Sequence, residues 1–145
     1  MIIYLASTIG TPGSEYRKNA QEVKEILESL GHEVIAPWET KIPGAWDISN
    51  QEWGLKVFQE DIKGMNRSDC VVVLSYGRES TAGANWECGY AYGIEKKVIV
   101  VEMIPNKIMS LMVSNGCWAV LNGISELKEY DFTLWPRKMT RTEQK

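Results

Sequence analysis

Three short runs of apolar, largely β-branched residues punctuate the chain: Ile2–Ala6 (IIYLA), Cys70–Ser75 (CVVVLS) and Lys97–Glu102 (KVIVVE). Each is strand length, and none alternates polar with apolar as a half-solvated strand would. Runs of this kind are the mark of strands buried on both faces. Helical patterns lie between them. Ser14 can cap a helix from about 14 to 30, in which Val23, Ile26, Leu27 and Leu30 recur at helical spacing and Gly31 ends the run. Asn50 can cap a second helix to about Met65, with Leu55, Phe58, Ile62 and Met65 on one face. A third covers roughly Gly83–Ile94, a shorter one lies around Asn106–Ser114, and a last one spans Ile124–Tyr130. Glu33–Ala36 and Cys117–Leu121 complete the strands.

Alternating β and α segments with apolar strands imply an α/β fold: one flavodoxin- or Rossmann-like domain with a five-stranded parallel sheet and helices on both faces. The length of 145 residues suits a single domain. We expect residues 1–135 to form it, followed by a basic, mobile tail over 136–145. That tail holds Arg137, Lys138, Arg141 and Lys145 against Glu143, so the body is more acidic than the net charge of −3. Such a body lacks the basic face that long nucleic acids need, whereas backbone N–H groups can still hold one phosphate. The apolar runs are too short to span a bilayer, and the N-terminal run has no basic flank of the signal-peptide kind. With three cysteines and no C-x-x-C pair, a disulfide framework is not expected and a reducing cytoplasm is the simplest home.

Scarce residues narrow the chemistry. The one histidine, His32, falls in a turn after the first helix and reads as a surface residue. The clusters that hold zinc are absent, so no metal and no cofactor is expected. Acid–base work then falls to carboxylates or tyrosine. In parallel sheets ligands bind beyond the carboxyl ends of the strands. That singles out the loop Ser7–Gly13, the loop Tyr76–Ala82 and the segment after Glu102. The long loop over 37–50, rich in Pro, Gly and Trp, is expected to close over them. Glu87 sits about one turn into the helix that follows the strongest strand, where the helix dipole favours an ionised carboxylate.

The stretch Thr81-Ala82-Gly83-Ala84-Asn85-Trp86-Glu87-Cys88-Gly89-Tyr90-Ala91 resembles the signature of the nucleoside 2-deoxyribosyltransferase family, a Gly-containing turn leading to Glu-x-Gly-x-Ala. Ile3-Tyr4-Leu5-Ala6 is similar to the family's opening strand, and Glu60-Asp61-Ile62 leading to Ser68–Val73 resembles its middle segment. The likeness runs in order over roughly residues 2–113. It implies that Glu87 is the nucleophile that attacks the anomeric carbon, that Tyr4 orients it, and that Asp61 handles the departing base. No metal is needed for this chemistry. The position six residues before Glu87, typically Asp in the transferases, is Thr81. A hydroxyl there resembles a sister branch, the nucleoside 5′-monophosphate N-glycosidases, in which it contacts the phosphate. The alternative is drift within the transferase branch. Ser110-Leu111-Met112 resembles that branch's Ser-x-Met, whose serine reaches a phosphate across a dimer interface.

The expected substrate contacts are therefore Ser7, Ile9, Gly10, Thr81, Gly83, Ser110, Met112 and Trp46. Trp38 and Trp46 can stack on a base or pack in the core or an interface. Trp86 and Cys88 read as packing. The expected activity is cleavage of the N-glycosidic bond of a nucleoside or deoxynucleoside 5′-monophosphate through a glycosyl-Glu87 intermediate. Base exchange on deoxynucleosides and non-catalytic sequestering of a nucleotide are the alternatives. A small nucleoside or nucleotide is the expected partner, with no nucleic acid polymer and no membrane, in a homodimer or larger assembly with shared sites.

Overall fold

The computed structural model describes residues 1–105 and 109–139. Five strands form one sheet: β1 (Ile2–Ala6), β2 (Glu33–Ile35), β3 (Cys70–Ser75), β4 (Lys97–Glu102) and β5 (Ala119–Asn122). Their order is β2-β1-β3-β4-β5 and every pairing is parallel. The α-helices among the described residues are α1 (Glu15–Ser29), α2 (Asn50–Arg67), α3 (Ala82–Gly93), α4 (Leu111–Gly116) and α5 (Gly123–Glu129). This is the expected parallel α/β fold. Among the described residues no helix is long and apolar enough to cross a membrane.

Alternation along β1 assigns the two faces. Ile3 and Leu5 point into a core with Ala20, Val23 and Leu27 of α1 and Leu127 of α5. Tyr4 and Ala6 point the other way, into a core with Met65 of α2, Cys88 and Ala91 of α3 and Val113 of α4. Side chains of β3 and β4 are divided in the same manner, which is why these strands read as unbroken apolar runs. The chain moves from β1 to β2 on one side and from β2 to β3 on the other. The carboxyl ends of β1 and β3 thus flank the switch point where such sheets bind ligands.

Helix starts follow local capping. Ser14 accepts the Arg17 N–H, Ser49 accepts that of Glu52, and Thr81 accepts that of Ala84. Ser49, not Asn50, is thus the cap of α2, and that helix runs on to Arg67. The fourth helix starts at Leu111, later than its sequence suggests, and residues 106–108 of that segment lie outside the described residues.

Two further observations concern the C-terminal segment and His32. Pro136–Lys138, expected at the start of the tail, make contacts with the rest of the chain. The Tyr130 hydroxyl donates to the Pro136 carbonyl, the Val120 N–H donates to the Lys138 carbonyl, and Lys138 pairs with Glu126. The Arg137 guanidinium sits 4.7 Å from the Trp118 ring centre. These contacts cover the edge of β5, which would otherwise offer unpaired backbone groups. The rest of the expected tail, 140–145, lies outside the described residues. His32, expected at the surface, is half-buried with its ring edge-on to Phe132 at 5.0 Å.

Candidate active site

Tyr4 is fully buried on β1, yet its hydroxyl reaches Glu87 of α3 and donates to Oε1 at 3.2 Å. The ring can lie against α2 because that helix has a glycine where they meet. A Cβ on Gly64 would stand 3.1 Å from Tyr4 Cε2 and 3.1 Å from Ile35 Cγ2. Gly64 is therefore a positioning residue, and the sequence reading missed it. Its signal was a glycine inside a long helix, where it weakens the helix unless close approach demands it.

Asp61, one turn before Met65 on α2, faces the same place. The cavity between α2 and the start of α3 has a volume of about 470 Å³. Helix α2 lines it with Gly54, Val57, Phe58, Asp61, Ile62 and Met65. Helix α3 contributes Ala82, Gly83, Trp86 and Glu87. Two carboxyl groups thus stand in an otherwise apolar wall.

That wall governs their protonation. Burial, reinforced by the nearby Asp61 charge, pushes the Glu87 carboxyl up to about 7, and the Tyr4 hydrogen bond only partly offsets this. Burial likewise raises Asp61, with the Glu60 charge adding to it and Tyr4 opposing it. Tyr4 is held far above its ordinary value by burial and by the charges of Glu87 and Asp61, so it acts as a neutral donor. The expectation that the helix dipole keeps Glu87 ionised is overturned. Glu87 lies beyond the first turn of α3, where the dipole has faded, and desolvation wins. The two neighbouring carboxyls are both raised by burial, and the Asp61 charge adds to the rise at Glu87.

Thr81 caps α3 at the rim of this cavity. Its backbone N–H donates to Thr8 Oγ1 at 2.9 Å, which ties the loop after β1 to the loop after β3. Thr8 is buried, and the sequence reading did not single it out. The neighbouring loop is internally bonded: Ser7 Oγ donates to the Thr8 carbonyl and Ser14 Oγ to the Ile9 carbonyl. Gly10 has φ +62°, a left-handed turn that suits glycine. In the first turn of α1, Arg17 Nε is buried without a hydrogen-bond partner.

The structure thus brings together Tyr4, Asp61, Glu87 and Gly83, with Thr81, Ser7, Ile9 and Gly10 in the adjoining loops. Ser110 and Met112 lie elsewhere on this chain. Ser110 is exposed, and Met112 is 84% exposed beside a separate apolar hollow lined by Cys88 and Tyr92. Trp46 is fully exposed, and the 37–50 loop folds into two single turns, Pro37–Glu39 and Ala45–Asp47, rather than closing over the cavity with that ring. Trp38 packs against the α1 side of the core. Trp86, read as packing, lines the cavity instead. Its ring meets Phe58 edge-on at 5.5 Å and stacks on Tyr90 at 5.5 Å. The spacing of Phe58 three residues before Asp61 could have revealed this wall. Cys88 is buried as expected, its thiol pushed up to about 11 by burial.

Comparison with known proteins places this geometry. The family model described as nucleoside 2-deoxyribosyltransferase matches residues 3–122. A nucleoside deoxyribosyltransferase of Lactobacillus johnsonii is 27% identical over 88 residues, which span 59% of this chain and 58% of that protein. The chain thus matches less than two thirds of that relative's length. The solved 2-deoxyribosyltransferase of Bacillus psychrosaccharolyticus superposes with a TM-score of 0.87 at 26% identity, covering 97% of this chain and all of the other. A CMP N-glycosidase of Clostridium botulinum shares the fold at a TM-score of 0.58 and 15% identity, over 89% of this chain and 96% of that one.

Proposed function

The chain belongs to the nucleoside 2-deoxyribosyltransferase family, and from that premise we propose that it cleaves the N-glycosidic bond of a nucleoside or deoxynucleoside 5′-monophosphate. The ionised Glu87 attacks the anomeric carbon while the C–N bond to the base breaks. Asp61 gives its proton to the leaving base, and the sugar is left as an ester of Glu87. Water then attacks the anomeric carbon, gives its proton to Asp61, and releases Glu87 and the sugar phosphate. A buried carboxylate beneath the sugar stabilises the oxocarbenium character of both steps.

With the proton on Asp61, the charge that raises Glu87 is gone and the Tyr4 hydrogen bond favours the Glu87 anion. The phosphate preference rests on one observation: a hydroxyl, not a carboxylate, caps α3 at the cavity rim. Thr81 uses its oxygen as an acceptor for Ala84 and keeps its O–H to donate to a phosphate, while the α3 N-terminus adds backbone donors. Ser7, Ile9 and Gly10 form the loop beside it, and Ser110 would be supplied by a second copy. The exposed Leu111 and Met112, 67% and 84% accessible, are apolar surface suited to such a homodimer.

A second reading is transfer of the deoxyribosyl group from one base to another. The likeness to the transferase structure over nearly the whole chain favours it, as does a cavity lining without Lys or Arg. The experiment is to incubate the protein with dCMP, dGMP and the parent nucleosides, with and without free adenine, and to separate the products. Release of base and sugar phosphate from the monophosphates is expected. Base exchange confined to unphosphorylated deoxynucleosides would establish the second reading and discard the first. Tight nucleotide binding with no turnover of any kind would leave only a sequestering role.

A further inference from the structure

Helix α2 contains two glycines, and only Gly64 has a folding reason to be one. There a side chain would collide with Tyr4 and Ile35. At Gly54 nothing lies within 4 Å of the position a Cβ would occupy. Gly54 is inside the helix, has no left-handed backbone, and is one of the least favourable residues for that place. Its position is nonetheless informative, because Gly54 lines the cavity that holds Asp61 and Glu87.

The α2 residues on this wall recur with helical spacing. Asp61 marks the reactive end, and Gly54 stands two turns before it, roughly 10 Å along the helix axis. Val57 and Phe58 fill the wall between them, and Trp86 faces Phe58 at 5.5 Å. Apart from the two carboxyl groups, the polar side-chain group of the lining is the indole N–H of Trp86. The part of a ligand that extends from Asp61 toward Gly54 therefore meets Val57 and Phe58 and is selected mainly by size and by contact with flat apolar surface.

We propose that Gly54 is a specificity-determining position whose missing side chain keeps the outer end of the cavity open to a two-ring base. This rests on the proposed cleavage at the base–sugar bond and adds to it the size of base accepted. Bulk at position 54 narrows the site to one-ring bases.

The test uses the full chain and the variants Gly54→Ala, Gly54→Leu and Gly54→Met, the last two differing in branching so that one folded variant suffices. Binding of free adenine and of free cytosine is measured by calorimetry, and kcat/KM is measured on matched purine and pyrimidine monophosphates. Gly54→Leu or Gly54→Met should lower kcat/KM on the purine substrate at least tenfold relative to the pyrimidine and weaken adenine binding more than cytosine binding. Gly54→Ala should leave the purine-to-pyrimidine ratio within about twofold and raise the unfolding temperature. Equal losses on both base classes would overturn the inference. So would an unchanged ratio, or a change in sedimenting mass, which would make Gly54 a contact between copies. If the wild type binds both bases and the bulky variants lose adenine selectively, yet nothing turns over, the inference stands and the proposed cleavage falls. Turnover by the wild type with no binding to either base and no change of ratio leaves the cleavage standing and removes the inference.

Discussion

Strand β1 divides the molecule into two regions of opposite character. On one face Ile3 and Leu5 meet α1 and α5 in an apolar core that includes the fully buried Val23 and Leu27. On the other face Tyr4 lies equally deep, but its hydroxyl ends at Glu87, and α2 and α3 part to leave a cavity with two carboxyl groups. The same strand thus supports a region that only stabilises and a region that holds desolvated charge. The second region is costly: a carboxyl raised to about 7 is less favourable in its ionised form than it would be in water. The contrast teaches that the sealed face carries the stability that lets the open face keep a strained protonation state.

Substitutions can break that division or sharpen it. The largest effect is expected on the open face: Glu87→Gln should lower kcat by on the order of a thousandfold or more while the fold persists, read by steady-state kinetics and circular dichroism. A folded variant with near-normal turnover would remove Glu87 as nucleophile. On the sealed face Leu27→Ala should lower unfolding free energy by about 2–5 kcal/mol in a denaturant titration, without moving the pH profile of kcat/KM. A shifted profile would mean that the two faces are coupled.

The Glu87→Gln variant also tests the charge itself. A carboxyl whose folded value lies above its unfolded value binds extra protons when folded. Wild-type stability therefore falls as pH rises from about 4.5 toward about 7 and stays reduced above it. The variant should accordingly be more stable than wild type at pH 8, by on the order of 1–3 kcal/mol, and close to wild type at pH 5. Equal stability at pH 8 would show that Glu87 is better solvated than the cavity implies. Smallest of all is Tyr4→Phe. It removes a hydrogen bond that favours the Glu87 anion, so the acidic limb of kcat/KM, expected near 7, should move to higher pH, with a rate loss of roughly tenfold. A limb that moves down would reverse the assigned role of Tyr4.

Much of the architecture was legible in the chain. Apolar runs at 2–6, 70–75 and 97–102 marked strands covered on both sides, and Ser14 and Gly31 bounded α1. Boundaries that depended on a choice among neighbouring polar residues were less legible, as at Ser49 and Asn50. Residues beyond Pro136 are polar in composition, and only the structure shows Arg137 and Lys138 in contact with Trp118, Val120 and Glu126. In the site, Tyr4, Asp61 and Glu87 were identified by resemblance, and Trp86 was assigned to the wrong surroundings because a lone helix shows no partner.

The sequence by itself determined the alternation of elements and the parallel sheet, because period and residue type act locally, and its resemblance to a family pointed to the three polar groups. Tertiary structure decided what those groups experience. Tyr4 meets Glu87 across 83 positions of chain, Gly64 clears the space for that meeting, and the apolar walls raise both carboxyls. Desolvation and proximity depend on which surfaces come together in space, and no local pattern along the chain contains that information.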